Sequence, residues 1–184
     1  HLGHSFPTRR SSDLFFWVAR MLFCSESLLG ELPFKDIYLH ALVRDEKDEK
    51  MSKSKGNVID PLEMIEKYGA DSLRFTLANL CATGRDIKLS TAHLENNKNF
   101  ANKIFNAVSY LKLKQEAFKD RERLNEYQTP LGRYAKSRLN SATKEARNAL
   151  DNYRFNDATT LLYRFLWGEF CDWFIEFSKV ENEA

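Results

Sequence analysis

The sequence is poor in everything that would staple, span or metallate a protein. Cysteine occurs three times, at Cys24, Cys81 and Cys171, an odd and scattered set that forms neither a disulfide framework nor a metal-binding pair. A reducing, cytoplasmic setting follows as the default. No stretch approaches the roughly 18 consecutive apolar residues that a membrane span needs, so no membrane partner is expected. The four histidines (His1, His4, His40 and His93) are dispersed, and no protein-bound metal is predicted. With seven glycines there is no GxxxxGK[ST] pattern, which excludes the glycine-cradled type of nucleotide site. No nucleophile, base and acid stand together, so covalent catalysis by the chain is not expected. The net charge of +2 is too small to mark a nucleic-acid binder unless the charge is locally clustered.

What is present is an apolar fraction of 43% with fourteen phenylalanines, enough for a real core, and one ordered polar run. Lys50-Met51-Ser52-Lys53-Ser54-Lys55-Gly56-Asn57 puts three lysines and two hydroxyls into six residues and closes on a glycine. Cations assist a reaction most where negative charge grows in the transition state. Lysine suits that task because its ammonium is compact, has three donors and rides on a flexible stem. Lys50 and Lys53 converge on one anion if the loop curls, while Ser52 and Ser54 bond backbone or phosphate oxygens and Gly56 eases the turn. The plain alternative is a solvent loop whose lysines serve solubility, and composition alone does not choose between them.

Phe15 to Leu29 reads as a short, largely buried helix, and Ile37 to Val43 as a parallel strand covered on both faces. Asp60-Pro61-Leu62-Glu63 is a helix start with a carboxylate cap and proline in the first turn. That helix ends near Tyr68-Gly69, and another runs from about Ala70 to Leu80. Three amphipathic series follow. The first is Phe100, Ile104, Val108 and Leu111. The second runs Leu131, Ala135, Leu139, Ala142, Ala146, Leu150 and Tyr153. The third runs Phe155, Ala158, Leu162, Leu166, Phe170, Trp173 and Phe177. Polar residues Lys119 to Gln128 separate the first two. The fold class is therefore an α/β remnant followed by a mostly α-helical bundle, with the boundary in Ala82 to Thr91. Residues 4–14 have neither period and are similar to read-through translation of a sequencing adapter. The segment 1–14 is expected to be non-native or disordered and carries no functional assignment.

Five segments carry a family likeness: FFWVARM at Phe15 to Met21, LVRDE at Leu42 to Glu46, KMSKSKGNVIDPL at Lys50 to Leu62, YGADSLRFTLA at Tyr68 to Ala78, and GRDIKLS at Gly84 to Ser90. Together they resemble the class I aminoacyl-tRNA synthetases, and among them the valyl-tRNA synthetase family. FCDWFIEFSK at Phe170 to Lys179 is similar to a helix of that family's anticodon-binding bundle. The likeness covers residues 15–181. It implies a Rossmann-like catalytic segment at 15–84 and part of an anticodon-binding domain at 85–184. It further implies a cytoplasmic, monomeric parent enzyme that joins valine to ATP, accompanied by Mg2+, and passes the valyl group to tRNA(Val).

Carried over by that resemblance, Lys50 and Lys53 are the catalytic pair on the pyrophosphate end of ATP. Met51, Ser52 and Ser54 shape the ATP-facing loop, and His40, Ala41 and Leu42 form the strand edge near the adenosine. Ala41 stands where glycine is common, and His40 reads equally well as a satisfied core histidine. Trp17 lies on the helix near the amino-acid pocket, with simple core packing as the alternative. Asp48-Glu49 replaces the usual small or basic residues before the first lysine. Arg133, Lys136, Arg138, Lys144 and Arg147 share a helix flank and are candidates for tRNA phosphates, the bland reading being a solvated face. His1-Leu2-Gly3-His4 imitates the family's other signature but stands only 46 residues before Lys50, and is read as accidental. The fragment is thus expected to lack half the ATP site and to show no aminoacylation alone. Two other readings remain open: an isoleucine-specific relative, and a non-catalytic tRNA-binding helical module.

Overall fold

The computed structural model describes residues 14–40, 42–81, 86–117 and 129–181. The expectations for residues 1–13, for Ala41 and for the polar separator 119–128 lie outside the described residues. The chain divides into two compact units after His40.

In the first unit Leu14–Ala19, wound as a π-helix, runs directly into the α-helix Arg20–Leu29 (α1). Gly30 ends it in the left-handed region at φ 71°, its N–H donating to the carbonyl of Glu26. That is the usual glycine stop. The helix was expected to be largely buried, and it is not. Phe16, Trp17, Phe23, Leu28 and Leu29 are all at least half exposed, and no residue of α1 is buried. An apolar helix face is buried only by another layer, and the described residues of this unit supply none.

In the second unit, a two-residue strand Val43–Arg44 (β1) pairs in parallel with Ile87–Lys88 (β2), Val43 opposite Ile87 and Arg44 opposite Lys88. Among the described residues, the expected parallel strand is therefore present only at Val43. Ile37 and Leu39 remain exposed. Strand length is set by the partner, and the ladder described here pairs two residues with two, flanked by Ile87 N–H donating to Leu42 O and Leu89 N–H to Arg44 O. The β2 strand itself lies within the segment expected to be a boundary loop.

The helical elements follow the sequence more closely. Pro61–Tyr68 (α2) begins on Asp60, whose carboxylate accepts from Leu62 N–H at 2.9 Å. Gly69 at φ 91° separates it from Ala70–Leu80 (α3). Thr91–Ala117 (α4) and Pro130–Asp151 (α5, capped by Thr129 accepting from Gly132 N–H at 3.0 Å) come next. The final rod is continuous: Phe155–Tyr163 (α6), a π-wound stretch Arg164–Phe174, and Ile175–Glu181 (α7).

One core cluster joins Tyr68, Leu73, Ile87, Leu89 and Leu94, tying the sheet to α2, α3 and the start of α4. A second is aromatic. Buried Phe100 lies 5.2 Å from Phe75 and 4.6 Å from Tyr163, which stacks on Trp167 at 5.4 Å (ring centroids). On α5 the buried positions are Ala142, Ala146 and Ala149, small enough for the close packing of α5 on α6. The stripe expected on the last rod is displaced. Ala158, Phe165, Cys171 and Ile175 are buried, whereas Trp173 and Phe177 are at least half exposed. Bonding from i to i+5 widens the turn, so a face counted at 3.6 residues per turn drifts off the core within the π-wound stretch.

Candidate functional site

The lysine run is built as a clasp on the carboxyl end of β1. Arg44 anchors the strand end by donating through Nε to Asp86 Oδ2 at 2.7 Å, and through NH1 to the Asp48 carbonyl at 3.1 Å. The chain then reverses through Asp45 to Glu49, with Asp48 in the left-handed region at φ 64°. Short polar residues of this kind tolerate that region. Lys50 returns to pair antiparallel with Arg44, so its backbone is fixed to the sheet edge. Asp45 holds the reversal together. Its Oδ1 accepts from Lys47 N–H at 3.0 Å and Glu49 N–H at 2.7 Å, and its Oδ2 from Asn57 Nδ2 at 2.9 Å. The Asn57 amide, followed by the Glu49 backbone donor, holds the Asp45 carboxyl below the usual carboxylate range.

Beyond Lys50, Met51 and Ser52 are half-buried and Lys53–Lys55 makes one 3-10 turn, closed by Lys55 N–H on Ser52 O at 3.1 Å. Ser52 and Ser54 hydroxyls lie 3.3 Å apart. Gly56 follows at φ 66°, and a Cβ there would meet nothing within 4 Å. Only its backbone conformation calls for glycine. Lys55 Nζ pairs with Glu49 Oε2 at 3.0 Å, an exposed contact between the third lysine and one of the two unusual acids. The Lys50 residue is exposed, while the Lys53 side chain lies outside the described residues.

A cleft of about 590 Å³ opens beside the clasp, lined in part by Asp45, Glu49, Lys55, Asn57, Asp60 and Leu94. Lys50, Ser52 and Ser54 do not line it. Its carboxylates make it a poor polyphosphate seat. Glu46 turns away to α4, where its Oε1 accepts from Thr91 N–H at 3.0 Å and caps that helix. Of the other expected residues, Leu42 is half-buried beside β1. His40 and Trp17 are exposed in the first unit.

The basic residues of α5 separate into two groups. At 100° per residue, Arg133, Lys136, Lys144 and Arg147 fall within an arc of about 80°, opposite the buried Ala142, Ala146 and Ala149, and all four are exposed. Arg138 stands on the other flank and is used differently from expectation. Its Nε and NH2 donate to the two carboxylate oxygens of Glu169, both at 2.7 Å, fastening α5 to the π-wound stretch. This fork raises the Arg138 pKa and lowers that of Glu169.

Two family models match separate parts of the chain. The family described as tRNA synthetases class I (I, L, M and V) matches residues 5–90, and that described as the anticodon-binding domain of tRNA ligase matches residues 132–184. The valine--tRNA ligase of Helicobacter pylori is 96% identical over 171 residues, covering 93% of this chain and 20% of that protein. The chain belongs to the class I tRNA synthetases. The valine--tRNA ligase of Wolinella succinogenes is 66% identical over the same length, which is 93% of this chain and 19% of that synthetase. The chain thus spans about one fifth of the length of the curated synthetases it matches. The LeuRS chain in the Agrobacterium radiobacter K84 LeuRS-tRNA-LeuAMS ternary complex shares the fold, with a TM-score of 0.64 over 79% of this chain and 20% of that one, at 20% identity. For this synthetase segment, a small parallel sheet beside a helical bundle is the architecture anticipated from the sequence.

Sequence reasoning overlooked Arg44, Asp45, Asn57 and Asp86, which build the clasp. The Arg44–Asp86 pair spans 42 positions and leaves no local mark. Asp45 did leave one, because an aspartate opening a polar stretch accepts readily from donors two to four residues on.

Proposed function

We propose that this chain is the segment of a valine–tRNA ligase that stabilises departing pyrophosphate and presents a helical face to tRNA(Val). The observation that carries this reading is the clasp, which mounts the lysine run on the carboxyl end of a parallel strand, where α/β folds place their ligands. Residues 15–84 serve the catalytic domain and 85–184 the anticodon-binding domain. In the reaction a valine carboxylate oxygen attacks the α-phosphorus of ATP, brought as its magnesium complex. The bond from that phosphorus to the β-bridging oxygen breaks, and pyrophosphate leaves with the electron pair. Lys50 and Lys53 meet the charge that gathers on it. Met51, Ser52 and Ser54 hold the closed shape of the loop. His40, Ala41 and Leu42 border the adenosine, and Trp17 borders the valine side chain. A hydroxyl of the terminal adenosine of the tRNA then attacks the valyl carbonyl of the adenylate, the carbonyl–phosphate bond breaks and AMP leaves, while the tRNA backbone lies along Arg133, Lys136, Lys144 and Arg147. Arg138 serves this face only as a strut. The parent works as a cytoplasmic monomer. Among the described residues no helix is long and apolar enough to cross a membrane, and no His/Cys/Asp/Glu cluster suits a metal ion.

The test is ATP–pyrophosphate exchange by a full-length ligase carrying this segment. Lys50→Ala or Lys53→Ala should lower kcat by about 10²–10³, the usual loss of one donor aimed at developing charge. Unchanged valine-dependent exchange in the double variant would refute the assignment, as would aminoacylation by the 184-residue chain alone.

A further inference from the structure

We infer that Asp45 and Asn57 are positioning residues that set the register of the lysine loop, locking its incoming and outgoing stems into one rigid frame. The inference rests on the loop's proposed role in adenylate formation. Asn57 sits after the lysines, yet each end of its amide reaches back. Nδ2 donates to Asp45 Oδ2 at 2.9 Å and to the Lys50 carbonyl at 3.3 Å, while Oδ1 accepts from Ser52 N–H at 2.9 Å. The same side chain therefore grips the residue that opens the reversal and the backbone on both sides of Met51. Asp45 completes the frame by accepting from two backbone donors on its other oxygen. Lys50 is fixed by this frame and by its bridge to Arg44, so the remaining freedom falls on the single turn Lys53–Lys55 and Gly56. A loop that must deliver ammonium groups to one leaving group needs such a division between a stiff base and a movable tip. Misplacement by about 1 Å at a reacting centre costs about a hundredfold in rate.

The pair is directional, which makes it testable. Asp45→Asn opposes two donors whichever way its amide is turned, toward Asn57 Nδ2 or toward the Lys47 and Glu49 N–H groups. Asn57→Asp opposes two carboxylates. The exchanged pair, Asp45→Asn with Asn57→Asp, restores the donor and acceptor order at every contact except the long one to the Lys50 carbonyl. The experiment uses the full-length Helicobacter pylori ligase with this chain's matching segment grafted in. It measures ATP–pyrophosphate exchange, valine KM, and transfer of valine from pre-formed valyl-adenylate to tRNA.

Each single variant should lose about a hundredfold in exchange kcat, with valine KM and the transfer step within about twofold of the parent. The exchanged pair should regain at least about tenfold. A merely structural role would depress exchange and transfer together. That result overturns the inference, as does an exchanged pair no better than the singles, or singles with parental kcat. Lys50→Ala is assayed alongside. If it too leaves exchange intact, the loop's proposed function fails. If it is crippled while the Asp45 and Asn57 variants are not, the positioning role alone fails.

Discussion

Replacing Lys144 and Arg147 with glutamine should weaken tRNA binding in a way that salt reveals. The two belong to the exposed arc of α5 that also carries Arg133 and Lys136. At 1.5 Å rise per residue the stripe from position 133 to 147 extends about 21 Å, long enough to follow several backbone phosphates. If all four cations meet phosphates, they contribute about −2.8 to −3.6 to the slope of log K against log salt. Between 50 and 200 mM salt that is a loss of about 50- to 150-fold in affinity from this face. Removing two contacts should reduce the slope by about 1.4–1.8 and leave this face with only about a tenfold loss over the same range. The assay is equilibrium binding of tRNA(Val) to the full-length ligase across that range, reading the difference in slope because other parts of the protein add their own contacts. Arg138→Gln is the control, since its guanidinium is forked onto Glu169. It should leave the slope unchanged. An unaltered slope in the Lys144/Arg147 variant, or a slope lost in the Arg138 variant, would refute the division of the helix into a phosphate face and a packing face.

The Arg138–Glu169 fork makes a stability prediction of its own. Glu169 has its pKa lowered chiefly by the Arg138 hydrogen bonds. The fork's contribution is therefore complete above the ordinary glutamate pKa and is lost as pH falls through the lower folded value. Because Arg138 is 42% exposed, solvent screening keeps that contribution small. Thermal melts of the parent and Glu169→Gln should differ at neutral pH and converge in acid, and a gap that persists at low pH would contradict the assignment. At Gly56 the demand is conformational only, with open space around the missing Cβ. Asparagine tolerates φ near +66° far better than valine, so Gly56→Asn should stay within about tenfold of parental exchange activity while Gly56→Val falls further. Equal activities would show that the left-handed turn is dispensable.

The parts of this fold that were legible in the sequence are those whose signals are local. Asp60-Pro61 announced α2 because a cap and a proline act within one turn. On α5 the small members of the expected face, Ala142 and Ala146, are buried, whereas Leu139, Leu150 and Tyr153 of the same series are exposed. The last rod kept its helical character but not its face, since π-winding over Arg164–Phe174 changes the angular step. No composition signal marked where that change begins. The strand failed for another reason. Ile37 to Val43 has the residues of a covered strand, but strand pairing is a property of two segments, and β2 offers only Ile87–Lys88.

The candidate site divides along the same line, with one instructive exception. The lysines, serines and glycine of the loop are consecutive and were read directly, whereas the frame beneath them joins positions 45 and 57, or 44 and 86, and became visible only in three dimensions. Arg138 is the exception, because its position was available from arithmetic. Five residues beyond Arg133, a helix has turned through 500°, which leaves Arg138 about 140° away from Arg133 and about 40° from Ala142. A cation so close to the packing face must find a carboxylate or leave a charge half-buried. Glu169 sits on the facing rod and answers that need. Counting basic residues along a helix therefore overstates a nucleic-acid face unless each is also assigned an angle, and the angle alone removes one of the five candidates here.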